Sequence, residues 1–187
     1  KDAILLGDKD NWWSAGETGP CGPCTEMHYD MGADLAGGLP GSPDEDGGRY
    51  VEIWNDVFMQ FDRDANGNLT PLPRQNVDTG AGLERWAAVM QNKLDNYDTD
   101  LFMNLKRAVS EITGVAETAE NVASFKIITD HLRSVGFAIA DGVLPSNTDR
   151  GYVIRRILRR AMRHGQILGH RGALLSKLYP ALITEMG

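Results

Sequence analysis

The chain has 187 residues, 42% hydrophobic and 24% charged, a globular composition with enough apolar side chains for one domain or two small ones. Apolar runs are short, as in Ile4-Leu5-Leu6, so no segment can span a bilayer, and two cysteines cannot build a disulfide framework. No signal peptide is visible and the expected setting is reducing and cytoplasmic, while Lys1 in place of an initiator Met suggests a piece of something longer. The net charge of −7 is divided unevenly. Residues 1–120 hold 9 Lys and Arg against 22 Asp and Glu, and residues 121–187 hold 10 against 4. The acidic total argues against a histone-like polyanion binder, but the basic second part could meet a phosphate backbone.

Residues 7–48 are dense in Gly, Pro and Asp, which excludes long helices and predicts an ordered loop. Residues 50–62 read as a long strand, with Val51, Ile53, Asn55, Val57, Met59 and Phe61 on one face and the intervening residues on the other. Asn66-Gly67 marks a hairpin turn. Leu69–Asp78 returns from it, with Pro71 and Pro73 confining its start to a sheet edge. After Gly82 the period becomes helical, predicting helices near 83–93, 98–113, 119–140, 149–168 and 172–186. Asp98 and Asp149 are the expected N-caps, and Gly114, Gly142 and Gly169 the expected stops. The expected fold class is α+β: an antiparallel strand-and-loop part, then an all-helical part.

Asp78-Thr79-Gly80-Ala81-Gly82-Leu83-Glu84-Arg85 combines features that suit a nucleotide triphosphate. Glycines let a ligand approach the backbone, a helix N-terminus offers free N–H groups, and Arg85 adds a planar cation. A plain strand-to-helix turn with a solvated Arg has the same local pattern. On the basic helix, Arg155, Arg156, Arg159, Arg160 and Arg163 fall within an arc of about 140°, with Tyr152 among them. Val153, Ile154, Ile157, Leu158, Ala161 and Met162 lie opposite, and no acidic residue occurs between Asp149 and Glu185. A one-sign stripe of this kind reads as a phosphate-binding surface. A membrane-surface helix, or arginines paired with the acidic part of the same chain, are the alternatives.

Gly80-Ala81-Gly82-Leu83-Glu84-Arg85 followed by an apolar helix resembles motif 3 of the class II aminoacyl-tRNA synthetases. Asn11-Trp12-Trp13, the run Thr18 to Glu26, Glu52-Ile53-Trp54-Asn55, Val57 to Phe61 and Asp78-Thr79-Gly80 resemble, within that class, the alanyl-tRNA synthetases. So do Asp141 to Asn147 and Arg150 to Arg156. The resemblance runs through the whole chain in the expected order. It implies the C-terminal part of a catalytic core at 1–105, with motif 3 at 78–90, and a helical tRNA-recognition domain at 106–187. The family's motifs 1 and 2 would precede this segment and its editing domain, with a zinc site, would follow, so the isolated chain is expected to be inactive.

The resemblance also implies residue roles. Asp78 would pair with the ammonium of alanine, although an Asp before Thr-Gly commonly accepts turn N–H groups instead. Asn55 and Val57 would line the pocket and Trp13 would wall it. Asn55 is also the one polar member of its strand face, so it needs a partner if buried. Gly80 and Arg85 would hold ATP, which enters with Mg²⁺, and Arg85 would be the catalytic cation. Asn147 would read the G·U wobble pair of the alanine tRNA acceptor stem, and Arg155, Arg156, Arg159, Arg160 and Arg163 would grip its backbone. Cys21-x-x-Cys24 with His28 lacks the second ligand pair of a structural zinc site and the βαβ setting of a redox motif, so no metal is expected here. The expected function is alanine–tRNA ligase in an intact enzyme that includes the missing remainder, with no membrane partner. The rivals are a stand-alone, non-catalytic RNA-binding module and a metal or redox loop protein.

Overall fold

The computed structural model describes residues 3–187 and divides into two compact units, one ending at Asn96 and the other spanning Tyr97–Gly187. The division falls earlier than 105/106. A boundary there would cut helix α2 (Asp100–Thr113) between Leu105 and Lys106, both buried.

The first unit is an antiparallel sheet in the order β1-β2-β3-β4, made of Trp12–Ser14, Gly19–Asp30, Tyr50–Arg63 and Leu69–Ala81. The expected loop at 7–48 is therefore partly strand. Gly19–Asp30 pairs with β3 along its length, and the ladder satisfies backbone groups that local turns would otherwise take. The Gly-Pro repeat serves this pairing. The register shifts between Cys21 and Cys24, and a Cβ on Gly22 would stand 2.0 Å from the Phe58 carbonyl oxygen. Residues 31–49 do form a loop, closed at its base by two hydrogen bonds from Arg49 to the Asp30 carboxylate at 2.9 and 2.8 Å.

The hairpin turn spans Asp64 to Gly67, and Gly67 N–H donates to the Asp64 carbonyl at 3.0 Å. The Asp64 carboxylate accepts the Asn68 side-chain amide at 2.9 Å and the backbone N–H groups of Asn68 and Asn66, both at 2.8 Å, which holds its pKa below the usual range. β4 is an edge strand, as Pro71 and Pro73 predict, and its ladder breaks between Met59↔Asn76 and Phe61↔Pro71, around those prolines. Helix α1 (Leu83–Met90) follows at once.

The second unit contains α2, α3 (Val122–Ala140), α4 (Asp149–Ile167) and α5 (Leu175–Met186). Its core joins Phe102, Leu105 and Val109 of α2 to Phe125, Ile128 and Leu132 of α3 and Leu178 and Leu182 of α5. The helices end as expected: Gly114 caps α2 in the left-handed region, and Gly142 and Gly169 take positive φ just past α3 and α4. The N-caps differ from expectation. Thr99 and Thr148 occupy them, with no side-chain cap bond from either. Asp98 instead accepts the buried Lys106 ammonium at 2.9 Å, and Glu117 takes it from another side at 2.7 Å. Asp149 is the first residue of α4, at a φ of 51°.

Candidate functional site

Three strands of the first unit bring a small grid of side chains together. Asn55 stands between Glu26 of β2 and Gly80 of β4, and Val57 stands between Cys24 and Asp78. Directly paired residues share a sheet face, so all six side-chain positions open on one side. Four expected site residues, Asn55, Val57, Asp78 and Gly80, are thus adjacent. Val57 and Cys24 are buried, and burial, reinforced by the Glu26 charge, pushes the Cys24 thiol up. A Cβ on Gly80 would meet nothing within 4 Å, so the space over Asn55 is open on the β4 side.

Asn55 meets the requirement read from its strand face only halfway. Its Nδ2 donates to Glu26 Oε1 at 3.2 Å, while its Oδ1 is buried and has no hydrogen-bond partner among the described residues. Glu26 spends its other oxygen on His28 Nε2 at 3.0 Å. Asp78 is exposed, and one oxygen accepts the Thr79 N–H at 2.9 Å, the turn-like bond that its sequence context allows. Glu26 was not anticipated in this group. The alternation of Cys24 and Glu26 carries the signal, but it is visible only once the segment is recognised as strand, and it ends where the ladder shifts between Met27 and His28.

Trp13 and Arg85 are set apart from this grid. Trp13 pairs with Gly22 on β1, with β2 between it and Asn55. The Arg85 guanidinium donates to the Glu52 carboxylate at 2.6 Å and to the Glu52 carbonyl at 2.9 Å. Glu52 alternates with Asn55, so its side chain belongs to the face where Trp54 meets Trp86 of α1, ring centroids 6.2 Å apart. Trp54 Nε1 also donates to the Thr79 hydroxyl on that side.

In the second unit, Arg155, Arg156, Arg159, Arg160 and Arg163 are all exposed on α4. Within this unit none of the five has an ion-pair partner among the described residues. The buried side of α4 is Gly151, Ala161 and Gly165, flanked by half-buried Ile154, Ile157, Leu158 and His164. Val153 and Met162, expected opposite the arginines, are exposed. Asn147 lies in the loop before α4, and its Oδ1 accepts a hydrogen bond from Arg155 Nη1. That bond leaves the amide Nδ2 as the outward donor. The loop is tied to the helix by Ser146 N–H donating to the Gly151 carbonyl at 3.0 Å. Among the described residues no helix is long and apolar enough to cross a membrane.

The first unit thus presents a group of polar side chains with one buried acceptor unpartnered, and the second an exposed row of arginines on α4. Residues 1–187 match the family described as tRNA synthetases class II (A), and the chain belongs to that family. It is 60% identical over 181 residues to the alanine–tRNA ligase of Hydrogenovibrio crunogenus, covering 97% of this chain and 21% of that protein. To the alanine–tRNA ligase of Magnetococcus marinus it is 59% identical over 187 residues, 98% and 21% of the two chains. To that of Francisella philomiragia it is 58% identical over 184 residues, again 98% and 21%. The chain thus spans about a fifth of the length of the curated relatives it matches.

Proposed function

We propose that this chain is the motif 3 portion and tRNA-recognition portion of an alanine–tRNA ligase, acting in the cytoplasm within a polypeptide of the relatives' length. The reaction is ATP-dependent activation of alanine to the adenylate, then transfer to the 3′ end of alanine tRNA. The observation that carries the reading is the buried Oδ1 of Asn55, unpartnered beside open Gly80 and diagonal to the Asp78 carboxylate. An ammonium has donors only, and these two acceptors suit it. Val57 closes the floor, and Trp13 is the outer wall that keeps the pocket small. ATP enters with Mg²⁺ over Gly80. Arg85 exchanges Glu52 for the nucleotide phosphates, one carboxylate contact for another anion. On α4 the five arginines grip tRNA phosphates, and Asn147, steadied by Arg155, reads the wobble pair in the shallow minor groove.

Asp78→Asn, placed in a full-length ligase containing this segment, tests the alanine site. It should raise the KM for alanine about 10- to 100-fold, the value of a charge-assisted contact, and leave the KM for ATP nearly unchanged. Equal movement of both would make Asp78 a turn residue only.

A further inference from the structure

The second unit holds a cleft of about 510 Å³ lined by His131 of α3 and by Val153, Arg156, Ile157, Arg159 and Arg160 of α4. Its arginines are exposed and unpaired, so every permanent charge lining it is positive. His131 is held rigidly. Its Nδ1 lies 2.8 Å from Asp130 Oδ2, and Asp130 Oδ1 accepts the Tyr97 hydroxyl at 3.1 Å. Its side chain is only 12% exposed, and its Nε2 is buried with no partner among the described residues. A buried imidazole nitrogen without a partner is costly, and a ligand in the cleft would supply one.

We propose that this cleft is the seat of one backbone phosphate of an RNA duplex, held by His131 Nε2–H together with the guanidinium groups of Arg156, Arg159 and Arg160. The proposal rests on the RNA-binding reading of α4 and adds His131 to it. The Asp130 carboxylate engages Nδ1, which leaves Nε2 as the ring atom free to meet a phosphate oxygen. The polar and charged groups around His131 are Asp130 and the Tyr97 hydroxyl on one side and Arg156, Arg159, Arg160 and His164 of α4 on the other. A duplex is favoured over a small anion because the cations continue past the cleft. From Arg155 to Arg163 they extend about 12 Å along the helix axis, more than one phosphate occupies.

The test uses the 187-residue chain with ¹⁵N-labelled histidine, titrated separately with a short Watson–Crick RNA duplex and with inorganic phosphate. The duplex should shift the His131 ring nitrogen resonances. His131→Phe should weaken the duplex about tenfold or more, and His131→Gln, which keeps an N–H donor near the Nε2 position, should recover most of that loss. Wild-type affinity in a folded His131→Phe chain overturns the proposal. If that variant does not fold, exposed Arg159→Gln decides, since it should abolish the His131 shift and an unchanged shift overturns the proposal. A His131 response to inorganic phosphate with none to the duplex also overturns it, in favour of a small-anion site. Neither alanine nor ATP is present, so failure here leaves the alanine site standing. Loss of all duplex binding would instead sink the RNA reading of α4 itself.

Discussion

On the proposed reading Arg85 belongs to two settings. In the structure it forms a half-exposed pair with Glu52, and such pairs are worth about 0–1 kcal/mol. Arg85→Ala should therefore change stability little, yet lower adenylate formation about 100-fold, because a preorganised cation on the transferring nucleotide is lost. Arg85→Lys should recover little, since an ammonium cannot reproduce the planar fork. Pre-steady-state adenylate formation set against thermal unfolding separates the two roles, and a near-normal Lys variant would leave Arg85 a surface cation. Asp30 offers a purely structural contrast. The hydrogen bond from Arg49, helped by the Gly32 N–H, lowers its carboxyl from 3.8 to about 2. A depressed carboxyl stabilises the fold above its unfolded value, so this contribution is intact above pH 3.8 and is lost as pH falls through about 2. Arg49→Gln should move the Asp30 titration back up, read by carboxyl NMR. An unmoved titration would assign the effect to the Gly32 amide alone.

At the scale of elements, the sequence exposed what local chemistry controls and hid what pairing controls. The alternation of β3, the prolines at the β4 edge and the glycines ending α2, α3 and α4 were all legible. β2 was not, because Gly-Pro-Cys-Gly-Pro-Cys has turn chemistry and becomes strand only through β1 and β3. Glu26 was left out of the group for the same reason, whereas Asn55, Val57, Asp78 and Gly80 could be set side by side because their strands were legible. The pairing of Arg85 with Glu52 was invisible, since sequence adjacency to Gly80 says nothing about which residue of β3 the first turn of α1 meets. Gly151 links an element to the site that follows from it. A Cβ there would stand 2.4 Å from both the Leu144 carbonyl oxygen and the Ser146 hydroxyl, so the loop carrying Asn147 must move. Gly151→Ala should cost about 1–3 kcal/mol in denaturant unfolding. It should also blunt the preference for a wobble stem, with the arginine face intact. Unchanged stability and preference would show that the loop is not set by this contact.

For the whole molecule, the structure divides into the sheet with its polar grid and the helical unit with its cationic face, and the charge changes sign near residue 120, inside the helical unit. On the proposed reading the first unit carries the substrate chemistry and the second the RNA recognition, and both must work in one polypeptide. The most direct measurement exchanges these 187 residues for the matching segment of the Hydrogenovibrio crunogenus alanine–tRNA ligase and follows aminoacylation kcat/KM on acceptor stems carrying G·U or G·C. The account predicts an active chimera, specific for alanine and preferring G·U, whose preference but not whose salt dependence is reduced by Asn147→Ala. A folded chimera that forms no alanyl-adenylate, or whose wobble preference survives Asn147→Ala in full, would contradict it.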